Sequence, residues 1–152
     1  MKNNIHFANI SDVSTLIETK EISPVELTEH LLNRIESIDR KLKSYVTIFA
    51  DRAIDRAKQA EKEILVGDYR GKLHGIPLSV KDLCYTKGIR TMGGLKVRKD
   101  FIPSFDATVI KRLTLAGAIL LGKNALTEGA LSGYNPEFEI PVNPWGEKLW
   151  AG

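Results

Sequence analysis

The chain has 152 residues, with 22 Lys and Arg against 19 Asp and Glu, a formal net charge of +3. Hydrophobic residues at 43% and charged residues at 27% give the balance of a globular protein and exclude a disordered one. The small surplus is interleaved with acids, as in Glu61-Lys62-Glu63, which leaves no continuous basic face for nucleic acid, and the single cysteine, Cys84, excludes an internal disulfide and a multi-cysteine zinc cluster.

In chain order, Met1-Lys2-Asn3-Asn4-Ile5-His6 has no apolar signal-peptide core. No later stretch approaches the roughly 20 apolar residues that cross a bilayer. A cytoplasmic, reduced setting without a membrane partner is therefore expected. Ser11 is read as the cap of a short helix with Val13, Leu16 and Ile17 on one face. Ser23-Pro24-Val25-Glu26 is a capping box with proline at the first helical position, and Leu27, Leu31, Ile35 and Ile38 form the apolar stripe of the helix it opens. Tyr45 to Phe49 reads as a strand. A third helix from about Asp51 to Leu65 would bury Ala53, Ile54, Ala57, Ala60 and Ile64, with Gly67 as its left-handed cap. The region 1–70 is thus expected to be helical with one strand.

The region 71–152 changes character. A glycine-punctuated loop from Gly71 to Pro77 feeds the short strand Leu78-Ser79-Val80, which ends at Lys81-Asp82. After a loop with Gly88, Gly93, Gly94 and Pro103, Asp106 is read as the cap of a helix bearing Val109, Ile110 and Leu113. Gly117 ends that helix before the apolar strand 118–121, and a Gly- and Pro-rich loop follows Gly122. Strand, crossover helix and apolar strand predict an α/β fold with a βαβ unit in a parallel or mixed sheet.

Four patterns compete for a functional reading. The stretch from Gly117 to Asn124 nearly matches GxxxxGK[ST], but its interior is a strand rather than a phosphate-cradling loop, and Asn124 replaces the hydroxyl residue. Cys84 with His74 would make a thiolate–imidazole pair, although a lone cysteine more commonly packs as a small apolar residue. His6, His30 and His74 lack metal-ligand spacing. Lys81-Asp82 resists such bland readings, because a lysine closing a buried strand must snorkel, pair or be used.

The octet Gly75-Ile76-Pro77-Leu78-Ser79-Val80-Lys81-Asp82 resembles the start of the catalytic region of the amidase signature family. Thr91-Met92-Gly93-Gly94, Asp106-Ala107-Thr108-Val109, Leu115-Ala116-Gly117-Ala118, Gly122-Lys123-Asn124, Thr127-Glu128-Gly129-Ala130, Gly133-Tyr134-Asn135-Pro136 and Asn143-Pro144-Trp145 follow in the family's order. The resemblance runs from about Ile5 onward. It implies the N-terminal part of the amidase signature fold, a mixed sheet flanked by helices, and an activity that cleaves a carboxylic amide C–N bond with a Ser–Ser–Lys triad.

In that triad the matching lysine is Lys81, while the two serines belong to a Ser/Gly-rich segment soon after Asn-Pro-Trp. Ser79 and Ser132 do not occupy those positions. The chain reaches Trp150-Ala151-Gly152, where that segment should begin, and two tryptophans in the last eight residues have little to pack on. A truncated chain, inactive alone, is therefore expected. A lysine serves as a base only as the neutral amine, so Lys81 is expected to be desolvated at its strand end. Asp82 is expected to hold loop hydrogen bonds rather than to pair with it.

The resemblance also implies that Met92, Gly93, Gly94, Glu128, Gly129 and Tyr134 line the entrance for a small-molecule amide; the alternative is that the glycines only permit tight turns. No cofactor and no metal are expected, and a homo-oligomer of the full-length parent stays open. Three other functions compete. One is the glutaminase subunit of a tRNA-dependent amidotransferase, which liberates ammonia from glutamine. The second is a non-catalytic α/β interaction module, and the third a nucleotide-binding α/β domain built on Gly117 to Asn124.

Overall fold

The protein is described by a computed structural model covering residues 2–131 and 133–151. Ser132 and Gly152, both named in the sequence analysis, lie outside the described residues, as does Met1. The regular elements are α1 (Ile10–Glu18), α2 (Pro24–Leu42), β1 (Tyr45–Ile48), α3 (Ala50–Leu65), β2 (Pro77–Lys81), α4 (Thr108–Leu115) and β3 (Ile119–Asn124), with 3-10 turns at Lys2–Phe7, Lys96–Arg98 and Glu128–Ala130. The sheet has the order β1-β3-β2. β1 and β3 are antiparallel, whereas the bonds Ile119 N–H to Ile76 O and Asp82 N–H to Asn124 O advance together along β2 and β3, as parallel strands require. This is the mixed α/β sheet that the sequence predicts, with α4 as the crossover.

The capping box forms as written: Ser23 Oγ accepts the amides of Val25 at 2.9 Å and Glu26 at 3.3 Å, and Ser23 N–H reaches Glu26 Oε2 at 3.3 Å. Elsewhere the structure corrects local expectations. Asn9, not Ser11, caps α1, its side chain accepting the Asp12 amide at 3.0 Å. Both residue types suit the position, but α1 begins at Ile10, which leaves Ser11 inside the first turn rather than before it. Asp106 accepts the Lys87 amide at 2.6 Å, so its carboxylate holds a loop. β3 does not stop at Leu121 but continues to Asn124. Its Gly122 lies where a Cβ would be 2.4 Å from Thr47 O, so the glycine extends the strand by letting β1 approach.

The chain divides into two compact units, and α2, β2, α4 and β3 each contribute residues to both. One unit holds the residues up to Arg34, Phe49–Leu78 and Arg112–Leu121. Its core joins Ile5, Val13, Ile17, Ile22, Leu27, Ile64 and Ile76, with Leu16, Leu31 and Tyr69 packed against them. Each fully buried aliphatic side chain contributes roughly 1.5–3 kcal/mol. Ala53, Ala57, Ala60 and Ile64 form the buried face of α3, as its pattern predicts, while Ile54 is only half-buried. Within this unit His74 is fully buried, its Nε2 2.9 Å from Glu63 Oε2 and its Nδ1 accepting the Arg70 amide at 3.1 Å. The amide assigns the proton to Nε2. His6 and His30, unremarkable by spacing, meet at 3.1 Å.

The other unit holds Ile35–Ile48, Ser79–Lys111 and the residues from Gly122 on. Here Asp39 accepts the amides of Ser44 and Tyr45 at 2.8 and 3.1 Å, turning α2 into β1. Arg90 donates to Val46 O at 2.9 Å and to Thr47 Oγ1 at 3.2 Å, bracing the irregular register between Tyr45 and Thr47. The C-terminal segment is tied to α2 by Val142 N–H to Leu42 O at 2.8 Å. Trp145 is 89% exposed, and Trp150 is exposed with its ring 5.3 Å from that of Tyr134.

Candidate active site around Lys81

The alternation of β2 sets the geometry: Val80 is buried, Lys81 exposed and Asp82 buried. Lys81 Nζ donates to the carbonyl of Ala125 at 2.8 Å. It lines a cavity of about 250 Å³ together with Ser44, Asn124, Tyr134, Asn143 and Pro144. The desolvation expected at Lys81 is not supplied by the described residues. The strand end faces a cavity rather than a packed layer, and this side of the site has the Asn143-Pro144 segment for a wall.

Asp82 does what its burial requires. At 1% exposure its Oδ2 accepts the Met92 amide at 2.9 Å, its carbonyl accepts the Gly93 amide at 3.1 Å, and its own amide donates to Asn124 O at 3.0 Å. Its Oδ1 is buried without a protein partner among the described residues. Burial pushes the Asp82 pKa up, against the Met92 amide and the positive charges of Lys123 and Arg90.

Lys123 completes the arrangement, and the sequence reading missed its place. It is fully buried, donating to Cys84 O and to Thr91 Oγ1, the latter at 3.1 Å. Burial lowers its pKa, opposed first by the charge of Asp82. A lysine held at 0% exposure inside a strand has no mobile loop to cradle phosphate, so the GxxxxGK-like stretch is structural. The signal for its burial was the apolar run before it, which continues the strand through Lys123.

The residues expected at an entrance take different positions. Met92, Gly93 and Gly94 are buried, and Gly129 N–H donates to Gly93 O at 2.8 Å. A Cβ on Gly94 would lie 2.9 Å from Thr127 O, so this glycine is required by close packing, whereas Gly93, at φ +65°, has open space around it. Glu128 and Gly129 are exposed, and Glu128 accepts from Asn135 Nδ2 at 3.0 Å. Tyr134 lines the Lys81 cavity and also a space of about 20 Å³ beside Asp82, Met92 and Gly94. The structure thus gathers Lys81, Tyr134 and the Met92–Gly94 loop in one unit. Cys84 is a half-buried free thiol. No three His, Cys, Asp or Glu side chains among the described residues are grouped as a metal site. No helix among them is long and apolar enough to cross a membrane.

The family model described as Amidase matches residues 26–152. The chain belongs to the amidase family. Among its relatives, a putative amidase AmiD of Mycobacterium tuberculosis is 46% identical over 143 residues, which are 94% of this chain and 30% of that protein. One subunit of the glutamyl-tRNA(Gln) amidotransferase of Trichodesmium erythraeum is 40% identical over 140 residues, 91% of this chain and 29% of that one. An amidase family protein from Bacillus anthracis superposes with a TM-score of 0.83 at 30% identity, over 96% of this chain and 31% of that structure. The chain therefore spans about 30% of the length of the curated amidase relatives it matches. Within the amidase fold, this segment carries the β2 end with Lys81 and the loop that packs on Asp82.

Proposed function

We propose that this chain is the N-terminal part of an amide hydrolase in which Lys81 is the general base. The observation that carries the reading is the position of Lys81: at a strand end, its Nζ held by Ala125 O, on a cavity walled by Asn143 and Pro144. The family's serine-bearing segment, following that wall, would close the cavity and desolvate the lysine. The neutral amine then takes the proton of the nucleophilic serine through a bridging serine as the oxygen attacks the amide carbon. The tetrahedral oxyanion is stabilised by backbone amides. Proton return to nitrogen breaks the C–N bond, and water hydrolyses the acyl-enzyme to the carboxylic acid. The substrate is a small-molecule amide entering past Met92, Gly93, Gly94, Glu128, Gly129 and Tyr134, in the cytoplasm and without a cofactor.

The test is Lys81→Ala in the full-length enzyme. Turnover should fall by at least about 100-fold, with the circular dichroism spectrum of the wild type. Turnover near wild type in a folded variant removes the assignment. A second reading, the glutaminase subunit of a tRNA-dependent amidotransferase, is supported by the relative at 40% identity. Glutamine hydrolysis that rises when a partner subunit is added would favour it over a stand-alone amidase.

A further inference from the structure

We propose that Asp82 and Lys123 form a positioning pair for Lys81, fixing both the backbone that carries it and the carbonyl that its Nζ meets. The inference rests on the amide-hydrolase reading of Lys81 and deepens it. Lys81 has two anchors. Its backbone is continuous with Asp82, whose amide is bonded to Asn124 O. Its Nζ is bonded to Ala125 O, two residues beyond Lys123. Each anchor therefore leads to one member of the buried pair.

The pair also fixes the loops around the site. Asp82 holds the amides of Met92 and Gly93, one through Oδ2 and one through its carbonyl. Lys123 holds Cys84 O and Thr91 Oγ1. Asp82, the residue after β2, and Lys123 in β3 thus bind the two ends of one loop, 84 and 91–93. Neither charge is placed for stability. Both are at or below 1% exposure, and Asp82 retains an unpartnered buried oxygen among the described residues. Apolar residues of similar volume would serve the core as well or better. What the ions add is direction: amides, carbonyls and a hydroxyl are held at set angles that an apolar side chain cannot impose. A displacement of about 1 Å in a reacting group is enough to cost about 100-fold in rate.

The experiment compares Asp82→Asn, Lys123→Met and the double variant in the full-length enzyme, beside Lys81→Ala. Substrate is benzamide or glutamine, whichever the wild type turns over. Each single variant should lose about 100-fold in kcat with KM within about threefold. In the double variant neither buried group is left without the opposing charge of the other, so its thermal midpoint should rise above that of either single variant, while kcat stays as low as in the singles. That split between stability and kcat supports the proposal, even if a single variant fails to fold. A purely structural role predicts that kcat recovers with the midpoint, and that result overturns the proposal. If Lys81→Ala is inactive but the folded pair variants keep wild-type kcat, the pair's role alone fails. If Lys81→Ala keeps wild-type kcat, the assignment of Lys81 as the base fails and the pair's role with it.

Discussion

His74 and Gly117 are packed so closely that a Cβ on Gly117 would lie 2.4 Å from Cδ2 of the imidazole. The glycine also has φ +84°, and its carbonyl accepts the Gly75 amide at 3.0 Å. The turn that ends α4 is therefore seated on the ring of a histidine fixed by Glu63 and the Arg70 amide.

Gly117→Ala should destabilise the protein by roughly 2–5 kcal/mol, combining left-handed strain of about 1–2 with overpacking of about 1–3. Urea unfolding measures it. A loss below about 1 kcal/mol would mean that the ring moves aside freely.

The helix α1 offers a sharper comparison. Asn9→Ala removes the side chain that accepts the Asp12 amide and should cost about 1 kcal/mol. Ser11→Ala should be near neutral, since the cap lies two residues earlier. Equal effects in thermal melts would contradict the assignment.

Glu63 makes stability depend on pH. The hydrogen bond from Gln59, then those with His74 and the charge of Arg70, hold its carboxyl below the ordinary 4.5 against the opposing effect of burial. A carboxylate depressed in the folded state stabilises it above the unfolded pKa, and that contribution is lost as pH falls through the folded one. Melting temperatures should therefore drop as pH is lowered from about 5 to about 3, and Glu63→Gln should flatten that part of the profile. An unchanged slope would show that the acid loss lies elsewhere.

The entrance reading separates two adjacent glycines. Gly93 has φ +65° and open space, so Gly93→Asn keeps a backbone that asparagine tolerates while adding a side chain. In the full-length enzyme this variant should raise KM for bulky amides by about tenfold, or about 1.4 kcal/mol, and leave small amides unaffected. Equal KM values across both sizes would leave Gly93 as a turn residue only.

Much of this was legible in the linear code. The capping box at Ser23, the alanine face of α3 and the β-branched run of β1 are local patterns, and each became the element it suggests. The order of motifs from Gly75 to Trp145 was enough to indicate the amidase family, which the match over 26–152 then established. Asn9 and Ser11 could not be separated this way, because both residue types cap well. Nor could Asp106 be assigned, since an aspartate before a helix serves equally as a cap or as a loop anchor.

The sequence by itself determined where helices and strands arise and that Lys81 closes β2, because periodicity and chain order are properties of neighbours. Only the tertiary structure decided that Lys81 lies exposed on a cavity, that Lys123 is fully buried and electrostatically linked to Asp82, and that Gly122 lets β1 approach β3. Solvation and charge pairing depend on which distant segments fold over a side chain. A lysine reads the same in one dimension whether water or a carboxylate stands beside it.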